Sequence, residues 1–222
     1  MIYISALFAI LFIFVRTFKG GLIALLLKIV ASLSFVALGF YYINTFYTLS
    51  KLLICGGLIF GLVGDILLDL KVIYPQHNNT YLFSGIISFI LQHITIFFAI
   101  TVLTSFNIIK DNIIFILLIP IFITIIAYFS FKILKMNLKN ALVLSLLYLF
   151  LLIYVTTFYL FTTLKYPNYI YLLIGMIIFI ISDFVLSFMY FKNNQENKFL
   201  IIVNHGLYYA AQILIASQIL YL

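Results

Sequence analysis

The sequence predicts an all-α integral membrane protein of about eight transmembrane helices, forming a single polytopic transmembrane domain over residues 1–222. Three observations carry this. Hydrophobic residues make up 67% of the chain and charged residues only 8%, against roughly 25% charged in a soluble domain. Apolar runs recur along the whole length with no polar linker between them. Each run approaches or meets the roughly 17–25 residues that an apolar helix needs to cross the hydrocarbon core. Open strands are excluded as spanning elements, because lipid cannot satisfy their edge groups.

Dividing the chain at charges, Asn, Pro and Gly gives spans at about 2–18, 22–43, 52–70, 82–103, 112–131, 138–161, 168–191 and 199–221. The first is the shortest and must let Arg16 reach outward to the interface. No cleavable signal peptide is expected. The first apolar run lacks a basic leader and ends at Arg16 without a small-residue cleavage site. Cys55, the only cysteine, cannot form an internal disulfide.

The net charge of +7 would raise nucleic acid as a partner of a soluble protein. Here the cations are spread over short loops, so membrane topology accounts for them and no nucleic acid is expected. Odd-numbered loops carry eight cations: Arg16, Lys19, Lys71, Lys132, Lys135, Lys139, Lys192 and Lys198. Even-numbered loops carry three: Lys51, Lys110 and Lys165. The excess puts odd loops in the cytoplasm and both termini on the opposite side. A faint repeat relates the segment from Gly57 through Asp65 to that from Gly175 through Asp183 at constant offset. It points to two four-helix halves in parallel repeat, related by an axis along the membrane normal.

Against this apolar background a few polar residues stand at membrane depth: Lys28, Asp65, Asp69, His93, Asp183, His205 and Gln212. A charge at the centre of a spanning helix costs roughly 2.5–3.5 kcal/mol on insertion scales, so such residues need partners or a wet cavity. Gly57, Gly61 and Asp65 share one helical face, which lets a neighbouring backbone approach and turns the carboxylate into the bundle. Asp69, a turn further on, reads as a solvated helix-ending residue near Lys71. In the last span His205, Tyr208, Tyr209, Gln212 and Ala216 form one stripe. Lys28 has two outlets, outward to the interface or inward to an aspartate or phosphate. Asp65, Asp183, Lys28 and Tyr208 fall in the half of the membrane nearest the odd loops, with His93 and Gln212 nearer the middle. A pocket among them would have a cationic entrance and an apolar inner end, a shape suited to an amphiphile with a phosphate head and one fatty tail.

The chain has no Gly-x-Ser-x-Gly elbow, His-Glu-x-x-His pair, phosphate-binding glycine loop or cysteine pair. Serine-triad, zinc-hydrolase and nucleotide-driven chemistry therefore lack support. Buried Asp and His also mark ion paths, so a lipid, small-molecule or proton-coupled membrane transporter is a competing reading. A purely structural membrane protein is a third.

Five patches in order resemble the YhhN-like family, whose characterised members are lysoplasmalogenases. They are Lys28 in the second span, Gly64-Asp65 with the Leu-rich turn after it, Phe83-Ser84-Gly85 through Gln92-His93, Phe179 through Ser182-Asp183, and Tyr208-Tyr209 through Gln212 to Ala216. One position departs: the family often carries Pro after this Lys, where the chain has Ile29. The resemblance implies a membrane hydrolase that cleaves the vinyl-ether bond of a lysophospholipid substrate, a lysoplasmalogen, to a fatty aldehyde and a glycerophospho-ethanolamine or -choline. It implies no metal and no cofactor. Protonating the outer alkenyl carbon makes an oxocarbenium ion that water attacks, a division of labour between two carboxyl groups like that in glycosidases. Asp65 and Asp183 are the expected acid–base pair, with either residue open to either role. His93 and Gln212 are expected to orient water or the carboxyl groups, with Lys28 and Tyr208 toward the phosphate.

Overall fold

The structure is a computed structural model, and it describes residues 1–43, 47–104, 106–192 and 197–222. Its described residues form eight α-helices and no strand. They are α1 (Ile2–Phe18), α2 (Gly21–Ile43), α3 (Leu49–Ile73), α4 (Asn78–Thr104), α5 (Asn107–Ile133), α6 (Leu142–Lys165), α7 (Ile170–Phe191) and α8 (Lys198–Ser217). Seven are long and apolar enough to cross a membrane; α1, at 17 residues, is the shorter one. Helices α3, α4 and α5 overrun their predicted spans by one to five residues at each end, and α6 lies four residues further along the chain than its span. Lys51, Lys71, Lys110, Lys132 and Lys165 are all taken into terminal turns, because a charge ends the membrane-buried stretch without ending the helix.

Local chemistry sets several ends. The turn between α1 and α2 uses Gly20 and Gly21, both at φ near +65°, a region that costs glycine nothing and other residues strain. Thr48 caps α3 by accepting from the Lys51 amide at 3.3 Å, and Asn197 caps α8 by accepting from the Leu200 amide at 3.2 Å. Proline opens the single 3-10 turns that lead into α4 and α7, Pro75–His77 and Pro167–Tyr169.

Packing follows the suspected repeat. In the first half α1 packs on α2, α2 on α3, and α3 on α4; in the second α5 packs on α6, α6 on α7, and α7 on α8. The halves meet in matching pairs, α2 with α8 and α6 with α4. The pattern breaks at the leading helices. α1 folds back onto α8, whereas α5 packs chiefly on α6 and has no comparable seat on α4. Only Ile108, Ile116 and Pro120 of α5 are buried. A wide apolar gap is left between α5 and α4.

Small residues bring α3 and α4 together. A methyl group at Gly57 would meet Ile96, one at Gly64 would meet Phe89, and one at Gly85 would meet Leu68. Gly61 faces the side-chain amides of Gln92 and Gln212. The glycine face of α3 thus points into the bundle, as its spacing implies, and carries Asp65 with it.

Candidate functional site

Lys28 turns inward. Its ammonium lies 3.1 Å from Asp69 Oδ1 and 3.4 Å from Asp65 Oδ1, and the three residues are 2–4% exposed. Asp69 is therefore not the solvated helix end that its position suggested. The reason is geometric: α2 lies against α3, and Asp65 and Asp69 are one turn apart on the same face, so one ammonium bridges both. Lys71, two residues further on, sets its ammonium 3.3 Å from the centroid of the Tyr190 ring.

The second carboxylate oxygen of Asp65 accepts from Ser32 Oγ at 2.6 Å and from Tyr208 OH at 2.8 Å. Tyr209 OH lies 3.3 Å from the same serine oxygen. Behind Tyr208, Gln212 Nε2 donates to its hydroxyl at 2.9 Å. Gln212 is itself held by Gln92, each amide donating to the other, at 2.9 and 3.2 Å. A polar chain thus runs from mid-bundle to the carboxylate: Gln92, Gln212, Tyr208, Asp65. Gln212 acts on Asp65 only through Tyr208, and Tyr208 and Lys28 are both committed to carboxylates.

Asp183 has different surroundings. It is half-buried, and its Oδ2 accepts from Tyr148 OH at 2.5 Å. Among the described residues no cation lies within ion-pair distance of it. Its neighbour Ser182 is locked to α8, donating to the Asn204 carbonyl at 3.0 Å while the Asn204 amide donates back to the Ser182 carbonyl at 2.9 Å and hydroxyl at 3.1 Å. This clasp fixes the rotation of α7 and hence the direction of Asp183.

Two cavities meet at Asp183. A small polar chamber of about 20 Å³ is lined by Lys28, Asp65, Asp183, His205 and Tyr208, among others. A cavity of about 410 Å³ lies between α4, α5, α6 and α7, with walls such as Ile86, Ala127, Leu152 and Phe184. Leu68, Phe89, Asp183, Leu186 and Tyr190 line both. The larger volume is within the range of small-molecule sites, roughly 300–1,000 Å³. The apolar space reaches past the depth of the carboxylates to Ile180 on α7 and Ile153 on α6, near mid-helix, as the residue pattern suggested. It also flanks them at the same end of the bundle, because α5 stands away from α4.

His93 is fully buried, edge-on to Phe179 at 4.7 Å and beside the Tyr148 ring at 6.3 Å. Neither ring nitrogen has a hydrogen-bond partner among the described residues. Among the described residues it bonds to no carboxylate; its place is against the tyrosine that holds Asp183. His205 packs edge-on against Phe12 at 4.9 Å.

Sequence reasoning missed Ser32, Gln92, Tyr148, Tyr190 and Asn204. Ser32 had a signal, since it lies one turn after Lys28 on the same face. Gln92 stood beside His93 at membrane depth. Tyr148 had none, being one of 17 tyrosines in an apolar chain.

Among known families, the model of the YhhN family matches residues 6–219, nearly the whole chain. No curated protein and no solved structure matches it.

Proposed function

The chain belongs to the YhhN family, and from that premise we propose that it is a membrane hydrolase of lysoplasmalogens. The observation that carries the reading is the position of Asp183, on the boundary between an apolar cavity large enough for a ligand and a chamber holding Asp65. A single-chain lysophospholipid has this same division, an alkenyl tail joined to a polar glycerophosphate at the bond to be cut. Each methylene withdrawn from water contributes about 0.8 kcal/mol, but a tail already in lipid gains little by moving. The cavity therefore serves to align the vinyl ether rather than to hold it tightly.

The surroundings divide the work of the two carboxyl groups. Asp183, beside Tyr148 and with no cation within ion-pair distance among the described residues, supplies the proton to the outer alkenyl carbon. The electron pair of the ether oxygen then forms the oxocarbenium ion. Asp65, held by Lys28, Ser32 and Tyr208, is the anion that stabilises it. Water adds to the cationic carbon and gives up a proton to a carboxylate. The hemiacetal collapses to aldehyde and glycerol hydroxyl, and the proton returns to Asp183. One water is consumed for each bond cut.

The test is incubation of the purified protein in detergent with a lysoplasmalogen, following fatty aldehyde and glycerophospho product together. Equal release of both is expected. Folded protein that releases neither, from ethanolamine or choline substrates, would shift the reading to transport of a lipid or ion.

A further inference from the structure

We propose that Lys71, seated on the ring of Tyr190 that lines the site, binds the phosphate of the lysophospholipid substrate. This rests on the hydrolase reading and names its headgroup subsite. Lys28 was the cation expected to face the phosphate, but it already lies between two carboxylates. Lys71 is also buried, 5% exposed, and among the described residues it has no carboxylate within ion-pair distance and no hydrogen bond. Among the described residues its one close polar attraction is to the Tyr190 ring. The attraction of an ammonium to an aromatic face is smaller than the cost of withdrawing that ammonium from water. A bound anion would offset the difference. At the same end of the bundle Arg16, in the last turn of α1, has a buried Nε with no hydrogen-bond partner. Among the described residues the region thus has more cationic capacity than its carboxylates use.

Geometry fits a phosphate at Lys71 to a vinyl ether at Asp183. Tyr190 lines both cavities and lies seven residues, two turns, beyond Asp183 on the same face of α7. At 1.5 Å of rise per residue their backbones are about 10 Å apart. Between the phosphorus and the outer alkenyl carbon of a lysoplasmalogen lie seven bonds. At the spacing of an extended chain, these span about 8 Å. The headgroup at Lys71 and the reacting carbon at the carboxylate can therefore be held at once, with the tail running on into the apolar cavity.

The experiment uses ligands that cannot be hydrolysed: a 1-O-alkyl lysophosphoethanolamine, the matching 1-O-alkylglycerol without phosphate, and inorganic phosphate. Their affinities are measured by calorimetric titration in uncharged detergent for the parent, Lys71→Met and Lys71→Arg. The parent is expected to bind the phospholipid about tenfold or more tighter than the alkylglycerol, in keeping with a charge-assisted hydrogen bond. Lys71→Met should erase that preference and leave alkylglycerol binding unchanged, which also shows that the variant is folded. Lys71→Arg should retain most of it. The proposal is overturned if the parent has no preference for the phosphate, if Lys71→Met keeps it, or if inorganic phosphate alone binds as tightly as the lipid. Because no bond is cut, the outcome is independent of whether the chain hydrolyses lysoplasmalogens.

Discussion

The buried cation between Asp65 and Asp69 organises the site before any substrate arrives. Withdrawing charges from water is costly, and the pairing of Lys28 with two carboxylates is what makes their burial tolerable. Lys28→Met keeps the length of the side chain and leaves both carboxylates without a cation. It is expected to destabilise the bundle by about 3–5 kcal/mol, the cost of an uncompensated buried charge. Thermal unfolding in detergent reads this directly; an unchanged midpoint would mean that water already solvates the carboxylates. Residue types alone made Lys28, Asp65 and Asp183 conspicuous, because ionisable groups are rare in apolar runs. What they could not give was partnership. Asp69 near Lys71 in sequence looked like a solvated helix end, yet each residue found its contact on another helix.

At the scale of elements, the α3–α4 contact and the stand-off of α5 have separate consequences. Gly61 lets the Gln92–Gln212 pair sit against α3, and that pair aims Tyr208 at Asp65. Gly61→Ala forces the amides apart. A loss of about 1–3 kcal/mol in stability, the usual range for overpacking, should accompany a turnover that falls more than substrate affinity does. Kinetics of the variant at a temperature where it remains folded separate the two effects. Ala127 on α5 faces the apolar cavity. Ala127→Phe fills part of that space without touching a carboxylate, so short alkenyl chains should be cleaved at near-parental rates and long ones poorly. Equal loss across chain lengths would show that the tail lies elsewhere. The glycine face of α3 was legible from its spacing of four. The cavity was not, since it arises from a missing contact between α4 and α5, and apolar helices look alike in sequence whether packed or apart.

Over the whole molecule, matching contacts in the two halves place Asp65 on α3 and Asp183 on α7, each on a helix that packs against its successor. The repeat read from the two aspartate segments thus extends to the architecture. Its asymmetry, α1 folded inward and α5 left outside, is what makes one half a polar clamp and the other an apolar pocket. The polar chamber lies near the ends of α3 and α7 and the starts of α2 and α8, the end where the odd loops gather their cations. Those loops are proposed to face the cytoplasm. A reporter fused after Leu222 should accordingly read non-cytoplasmic, and a cytoplasmic reading would invert the orientation while leaving the site intact.

The central claim is that two carboxyl groups on different helices together open a vinyl ether. The most direct measurement is aldehyde release from a lysoplasmalogen by the parent, Asp65→Asn and Asp183→Asn, with folding of each verified by its thermal transition. Asparagine keeps the shape of the side chain and removes its ability to exchange a proton or hold a negative charge. Release by the parent and a loss of at least about a hundredfold in each folded variant, in the range of general acid–base contributions, is the predicted result. Full release by both folded variants would contradict the account.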